Sequence, residues 1–535
     1  MIMLNKVVCR AFSVVMLCVL GFILMLSLIS TTYISDNETV YYVSDRPYTH
    51  FVTMLILIAI LYVGRKKVKL TQKTVMIVGI VIFSLLAMYL FSSMFRPRFD
   101  QRCVMNIAAQ MVCGDYTEFQ TGGYADLNPH QNGLLLYYEA LGFVFGYNNL
   151  VVIQFINLIF SVGAIYAIYL LYQMLTERYL YMTLAVMLFL PFWGYISLIY
   201  GNVPAFSFGV WGLYFVLKYL KDKKWSKIFA ASMCMMLSCI LKMNFKILLI
   251  AIVILVVLEA IKKKSFGLLI MPIVMTVFVL AGDKGVNLII QEQTGRPVAD
   301  GTPAVSFVAM GLHEHVYRGA GWFDDYPIEL YEQYSGNMDE IKTAATEDIK
   351  ASIEDFKQHP KYMLGFFIRK VASMWNEPSY DSLSIQMNRE SLLDSPPRWV
   401  NILVSKGAIN SFIYQIMNII ESLLMMGAFV YYIFHFKEED FVKNVFALFF
   451  IGGFMFHLFW EASSQYAIFY VMLLAGYAVE GFADLVKWGI TARRRDVLLA
   501  LSVAVMVVVV LSMPGFVDFL TLNRSEELYM EYLQG

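Results

Sequence analysis

The sequence predicts an all-α polytopic membrane protein of about thirteen transmembrane helices, with juxtamembrane helices outside the membrane and one long mixed outer region. Three observations predict it. Hydrophobic residues make up 59% and charged residues only 15% of 535 positions, whereas a soluble globular chain carries about 25% charged residues. Mean hydropathy is +0.62. Apolar runs of roughly 20 residues, long enough to cross about 30 Å of hydrocarbon, recur along the chain. The formal net charge is zero, which removes any whole-molecule attraction to nucleic acid. The lipid bilayer is the partner that composition implies.

The runs fall at 9–32, 50–64, 74–95, 149–172, 180–199, 204–220, 227–241, 245–261, 266–281, 409–434, 444–460, 465–483 and 497–513. Lys242 and Lys246 interrupt the stretch from 227 to 261, so its two halves are each short. Basic clusters set the orientation, because short cytoplasmic loops carry an excess of Lys and Arg. They occur at Lys6 and Arg10, Arg65 to Lys67, Lys221 to Lys227, Lys262 to Lys264, and Arg493 to Arg495. With a cytoplasmic N-terminus, about thirteen crossings put every one of them inside. Residues 34–49, 96–148, 200–203, 282–408 and the C-terminal tail then lie outside. The chain divides into a transmembrane module over 1–281, an outer region over 282–408, and a second module over 409–535.

The first apolar run is too long for the core of a secretory signal, and no small-residue cleavage site follows Ser30-Thr31-Thr32-Tyr33. It reads as a retained helix. No fixed-period repeat is visible, which weakens a transporter built from two halves. Cys103 and Cys113 share one predicted outer helix and stand roughly 15 Å apart along it, too far for a disulfide. The histidines are scattered and no zinc-ligand spacing occurs, so neither a metal nor any other cofactor is predicted.

The loop from 96 to 148 is the most informative polar segment. Pro97 cannot continue a helix, and Asp100 suits the start of one whose Val104, Ile107, Ala108 and Met111 recur at helical spacing. Gly114 ends it. A second amphipathic stretch follows Pro129, with Leu134, Leu135, Tyr138, Leu141 and Phe145 on one side, until Gly146. Both are too short to span and are expected to lie in the interface plane.

The order Asp100-Gln101, Ala108-Ala109, Gly114-Asp115-Tyr116, Gly123-Tyr124 and Asn128-Pro129-His130-Gln131-Asn132-Gly133 resembles the first outer loop of the GT-C superfamily of glycosyltransferases. The branch it is most similar to contains protein O-mannosyltransferases and the aminoarabinose transferase of lipid A. Trp460-Glu461-Ala462-Ser463-Ser464-Gln465-Tyr466 is similar to a further element of that group. The resemblance implies transfer of a sugar from a polyprenyl-phosphate donor to a glycan, lipid or protein acceptor outside the cytoplasm. It implies Asp100 as the catalytic carboxylate. The family often has an acidic pair there, but Gln101 stands second, and Asn202 stands where some relatives have another acid.

Chemistry alone also points to Asp100. A carboxylate that takes the proton of an attacking hydroxyl typically accelerates the step 10²- to 10⁴-fold, which makes Asp100 a general base for an inverting displacement. The leaving phosphate needs cations, for which Lys242, Lys246 and Arg318 are candidates. Lys242 and Lys246 are four residues apart and share a face if the segment is helical. Arg96, Gln101, Tyr124, Asp126, His130, Gln131, Asn202, Trp322, Glu461 and Tyr466 complete the candidate substrate contacts. Plainer readings stand beside these: Asp100 as a helix cap, the lysines snorkelling to the interface, and Asp115 and Asp126 as turn residues.

The region from 282 to 408 mixes glycine, aromatics and charge between Gly311 and Tyr326 in the manner of a binding loop, with Trp322 stacking on a sugar or lining the mouth. A helix from about Met338 to Gln358 follows, Pro360 breaks it, and Trp375-Asn376-Glu377-Pro378 forms an ordered turn. The expectation is an inverting glycosyltransferase of the bacterial envelope. The alternatives are a flippase of lipid-linked saccharides, or a polymerase or ligase using diphosphate-linked oligosaccharides.

Overall fold

The computed structural model describes residues 2–64, 69–147, 149–315, 318–387, 389–513 and 528–531. The basic cluster at Arg65 to Lys67 and most of the C-terminal tail lie outside the described residues. Helices dominate, and nine among the described residues are long and apolar enough to cross a membrane, or up to eleven if two bent pairs each count as one. The chain is therefore an all-α polytopic membrane protein. Each predicted apolar run falls on a helix or a bent pair. Trp225–Leu241 is shorter than a full span, and Arg494–Leu511 begins with three charged residues.

Two predicted runs are bent by 51°. In Tyr179–Met187 with Leu190–Ser197, Pro191 sits at the start of the second half and cannot donate its backbone N–H, so the break falls there. In Ser464–Met472 with Ala475–Thr491, the Leu473 carbonyl at the break accepts a hydrogen bond from the Tyr172 hydroxyl at 3.3 Å. A freed carbonyl in an apolar layer needs such a donor.

The bundle closes through a few helix pairs. Asn202–Asp222 packs against both Leu150–Leu175 and Trp225–Leu241, which in turn meets Ile270–Thr294. Ile2–Ile29 and Ala475–Thr491 both pack on Ala408–Phe434, so the first helix is tied to the last third of the chain. Glycine permits the closest of these approaches. A Cβ on Gly481 would stand 1.9 Å from the Gly427 carbonyl oxygen, inside any possible contact.

Three expectations are corrected. A hairpin of Ser30–Ile34 with Val40–Ser44 interrupts the all-helical pattern, paired from Ser30 with Ser44 to Ile34 with Val40. Its β-branched and aromatic residues favour strands, and Asp36-Asn37 supplies the turn. The helix predicted to stop at 281 runs on to Thr294, because Gly282, Asp283 and Gly285 do not break it once it packs on Trp225–Leu241. Lys242 and Lys246 do not share a helical face, since Lys242 has extended backbone after Leu241 and a 3-10 turn, Met243–Phe245, precedes Lys246–Lys263.

Other elements follow the sequence closely. The two helices read from the loop at 96–148 are Phe99–Val112 and Asn132–Phe145, followed by Gly114 and Gly146 at positive φ. Val104, Ile107, Ala108 and Met111 bury one face of the first, and Leu134, Leu135 and Tyr138 that of the second, where the two helices pack together. Phe145 is the exception and is exposed. Met338–Gln358 and Pro360–Trp375 are helices, and Trp375 to Glu377 is buried. None of the six cysteines forms a disulfide.

Candidate active site

The helix ends carrying Asp100, Lys242 and Glu461 converge. Lys242 precedes a helix whose far end carries Lys262 and Lys263, so the convergence lies at the opposite end from that basic cluster. Asp100 does not cap its helix. Arg98 occupies the cap without a side-chain hydrogen bond, and Asp100 sits in the first turn, where the helix dipole favours a carboxylate. Phe99 between them adopts a left-handed φ of 45°, unusual for a bulky residue and the kind of backbone found at functional sites.

Asp100 is exposed, and its Oδ2 accepts a hydrogen bond from the Tyr200 hydroxyl at 2.8 Å. Gln131 Nε2 donates to the same hydroxyl at 2.8 Å. Tyr200 is therefore fixed as a donor towards Asp100. Burial first, and then the Asp100 charge, push its phenol well above its ordinary range, so it keeps its proton. Tyr124 lies within reach of both Asp100 and Tyr200. Gln101 is buried, and its Oε1 accepts the Ile199 N–H at 3.2 Å, which locks the helix start to the strand-like segment leading into Tyr200. Gly201 makes the approach possible: its φ is 75°, and a Cβ there would stand 2.7 Å from Leu134.

Lys242 Nζ lies 3.7 Å from the centroid of the Tyr200 ring and 6.0 Å from that of Tyr466. A desolvated cation over an aromatic face is worth about 2 kcal/mol. Burial nevertheless pulls its ammonium down to about 8, against the opposing influence of Asp100 and Glu461. Desolvation outweighs two nearby carboxylates here. Glu461 accepts from the Tyr466 hydroxyl at 3.3 Å. Burial, then repulsion from Asp100, pushes its carboxyl up to about 7.

Asn202, Lys242, Gln465 and Tyr466 line a small cavity of about 20 Å³ together with Phe245, Phe449 and Phe469. The buried Asn202 Oδ1 has no hydrogen-bond partner among the described residues. His130, beside Gln131 at 3.3 Å, is exposed at the same convergence. So Asp100, Gln101, Tyr124, His130, Gln131, Asn202, Lys242, Glu461 and Tyr466 are brought together.

Other candidates are placed elsewhere. Lys246 is held by Asp283 at 2.8 Å on the neighbouring helix. Arg318 is ion-paired with Glu38 of the hairpin turn. Arg96 is exposed and stands 3.6 Å from Glu390. Asp126 accepts the Gly122 N–H at 3.0 Å, the turn role. Trp322 is not a sugar platform: it is 4% exposed, and its indole N–H donates to Ser373 Oγ at 2.9 Å. It pins its loop to the Glu461 segment, where Ala462 N–H donates to the Gly321 carbonyl at 2.8 Å.

Two participants escaped the sequence reading. Tyr200 is one of 34 tyrosines, and only its contacts mark it. Lys370 is 1% exposed and donates to the carbonyls of Gly311 and, at 2.8 Å, of Trp460. Burial pulls it down to about 7, with Glu461 opposing. It holds the Glu461 segment from behind.

No protein-family model, curated protein or solved structure matches the chain.

Proposed function

We propose that the protein is an inverting glycosyltransferase of the GT-C type, using a polyprenyl-phosphate sugar as donor, in the bacterial cell membrane. In this reading the helices make about thirteen crossings, the N-terminus is cytoplasmic, and the Asp100 convergence faces outward. The two outer-loop helices lie along the interface. The observation that carries the reading is an exposed carboxylate, oriented by the Tyr200 hydroxyl at 2.8 Å, with the Lys242 ammonium across the same ring at 3.7 Å.

The acceptor hydroxyl oxygen attacks the anomeric carbon while its proton passes to Asp100. The bond from that carbon to the phosphate oxygen breaks on the opposite face, and its electron pair leaves with the phosphate. Lys242 offsets the added negative charge. The oligosaccharide polymerase, the ligase and the flippase differ in donor or in forming no bond. Purified protein incubated with a panel of polyprenyl-phosphate sugars separates them. One donor should be consumed with inversion, and no consumption of any of them while lipid-linked saccharide crosses a bilayer would sink the enzyme reading.

Lys242 gives a pH prediction. Its ammonium form persists below about 8 and is lost above it, so the donor KM should be flat at lower pH and rise as pH climbs through that value. Lys242→Met should raise KM throughout and abolish that limb. An unchanged alkaline limb in the variant would assign it to another group.

A further inference from the structure

On the flank of Phe99–Val112 turned away from Asp100, Arg102 and Asn106 stand one helical turn apart, with Met105 between them. Together with Arg96, Leu150 and Leu392 they line a cleft of about 250 Å³. Both arginines and Asn106 are exposed, and the Arg102 guanidinium makes no hydrogen bond or ion pair among the described residues. Arg96 is preset rather than loose. Its carbonyl accepts from the buried Arg389 guanidinium at 2.9 Å, and its N–H donates to the Glu390 carbonyl at 2.8 Å. Its carboxylate partner, Glu390, stands 3.6 Å away with a side chain 71% exposed.

The cleft's level in the fold identifies its occupant. Gln72–Ser93 ends just before Arg96, and Leu150–Leu175 begins at the cleft's own Leu150; both are apolar enough to span. The cleft therefore sits where two membrane helices emerge, at the depth of lipid headgroups. Phe143, Val144, Phe145 and Tyr147, shortly before Leu150, are all exposed, which suits burial in the acyl boundary. Two guanidiniums beside Leu150 and Leu392 match a phosphodiester whose chains continue into the bilayer.

We infer that this cleft binds the phosphate headgroup of an anionic membrane phospholipid, at a site separate from the Asp100 convergence. Binding there would seat the first outer-loop helix on the membrane.

The test uses the full-length protein in detergent with phosphatidylglycerol or phosphatidylcholine added, read by lipid retained in native mass spectrometry and by thermal unfolding. Wild type should retain phosphatidylglycerol preferentially and melt higher with it. Arg96→Ala with Arg102→Ala should lower that retention about tenfold, the loss of two charge-assisted contacts. Arg102→Ala alone, which removes a side chain with no hydrogen-bond or ion-pair partner among the described residues, should lose part of it while melting as wild type does in phosphatidylcholine. Lys357→Ala, on the exposed helix Met338–Gln358, should change nothing. Equal retention of the two lipids, or retention unchanged in both arginine variants, overturns the inference. Displacement of the lipid by millimolar inorganic phosphate would assign the cleft to free phosphate instead.

Discussion

Asp100→Asn is expected to lower glycosyl transfer by about 10²- to 10⁴-fold, the span of general-base contributions. Asn keeps the size of Asp and an oxygen that can still accept from Tyr200, so the network from Gln131 through Tyr200 persists. The side chain is exposed, where substitutions typically change stability by less than about 0.5 kcal/mol. Melting temperature and donor KM should therefore stay close to wild type while kcat collapses. That split matters, because an interaction made only in the transition state lowers kcat and kcat/KM together. A variant transferring within twofold of wild type would remove Asp100 from the chemistry.

Gly481→Ala is expected to be the most damaging single methyl in the transmembrane bundle. The new Cβ would meet the Gly427 carbonyl oxygen at 1.9 Å and the Tyr431 backbone nitrogen at 2.7 Å. Backbone cannot swing aside as a side chain would, so Ala475–Thr491 and Ala408–Phe434 must separate along their contact. Overpacking of this kind costs about 3 kcal/mol or more, enough to cut abundance several-fold. Gly489→Ala on the same helix, with open space around it, serves as the control. Monodisperse yield in detergent should fall at least about fivefold for the first and stay level for the second; equal yields would show that the two helices are not so closely apposed.

Legibility from the sequence varied with the range of the physics involved. Phe99–Val112, Asn132–Phe145 and Met338–Gln358 were readable because a helix face and the Gly or Pro that stops it lie within one window of residues. The place of Asp100 in the first turn of an amphipathic helix was readable for the same reason, since it follows an apolar run and Pro97. Trp322 misled because glycine and aromatics around it look alike in a binding loop and in a packed corner. Its burial and its bond to Ser373, 51 residues on, distinguish them. Lys246 misled because its partner, Asp283, lies on another helix.

The sequence by itself determined the membrane class and the helical runs, since each depends on residues within about 20 positions. Tertiary structure alone decided that Tyr200 would orient Asp100 across 100 residues of chain. It also decided that Lys242 would lie over the ring of Tyr200 while Lys370 holds the Glu461 segment from behind. Such contacts leave no local period to read, because their energy comes from groups that share a dry space only after the helices have packed.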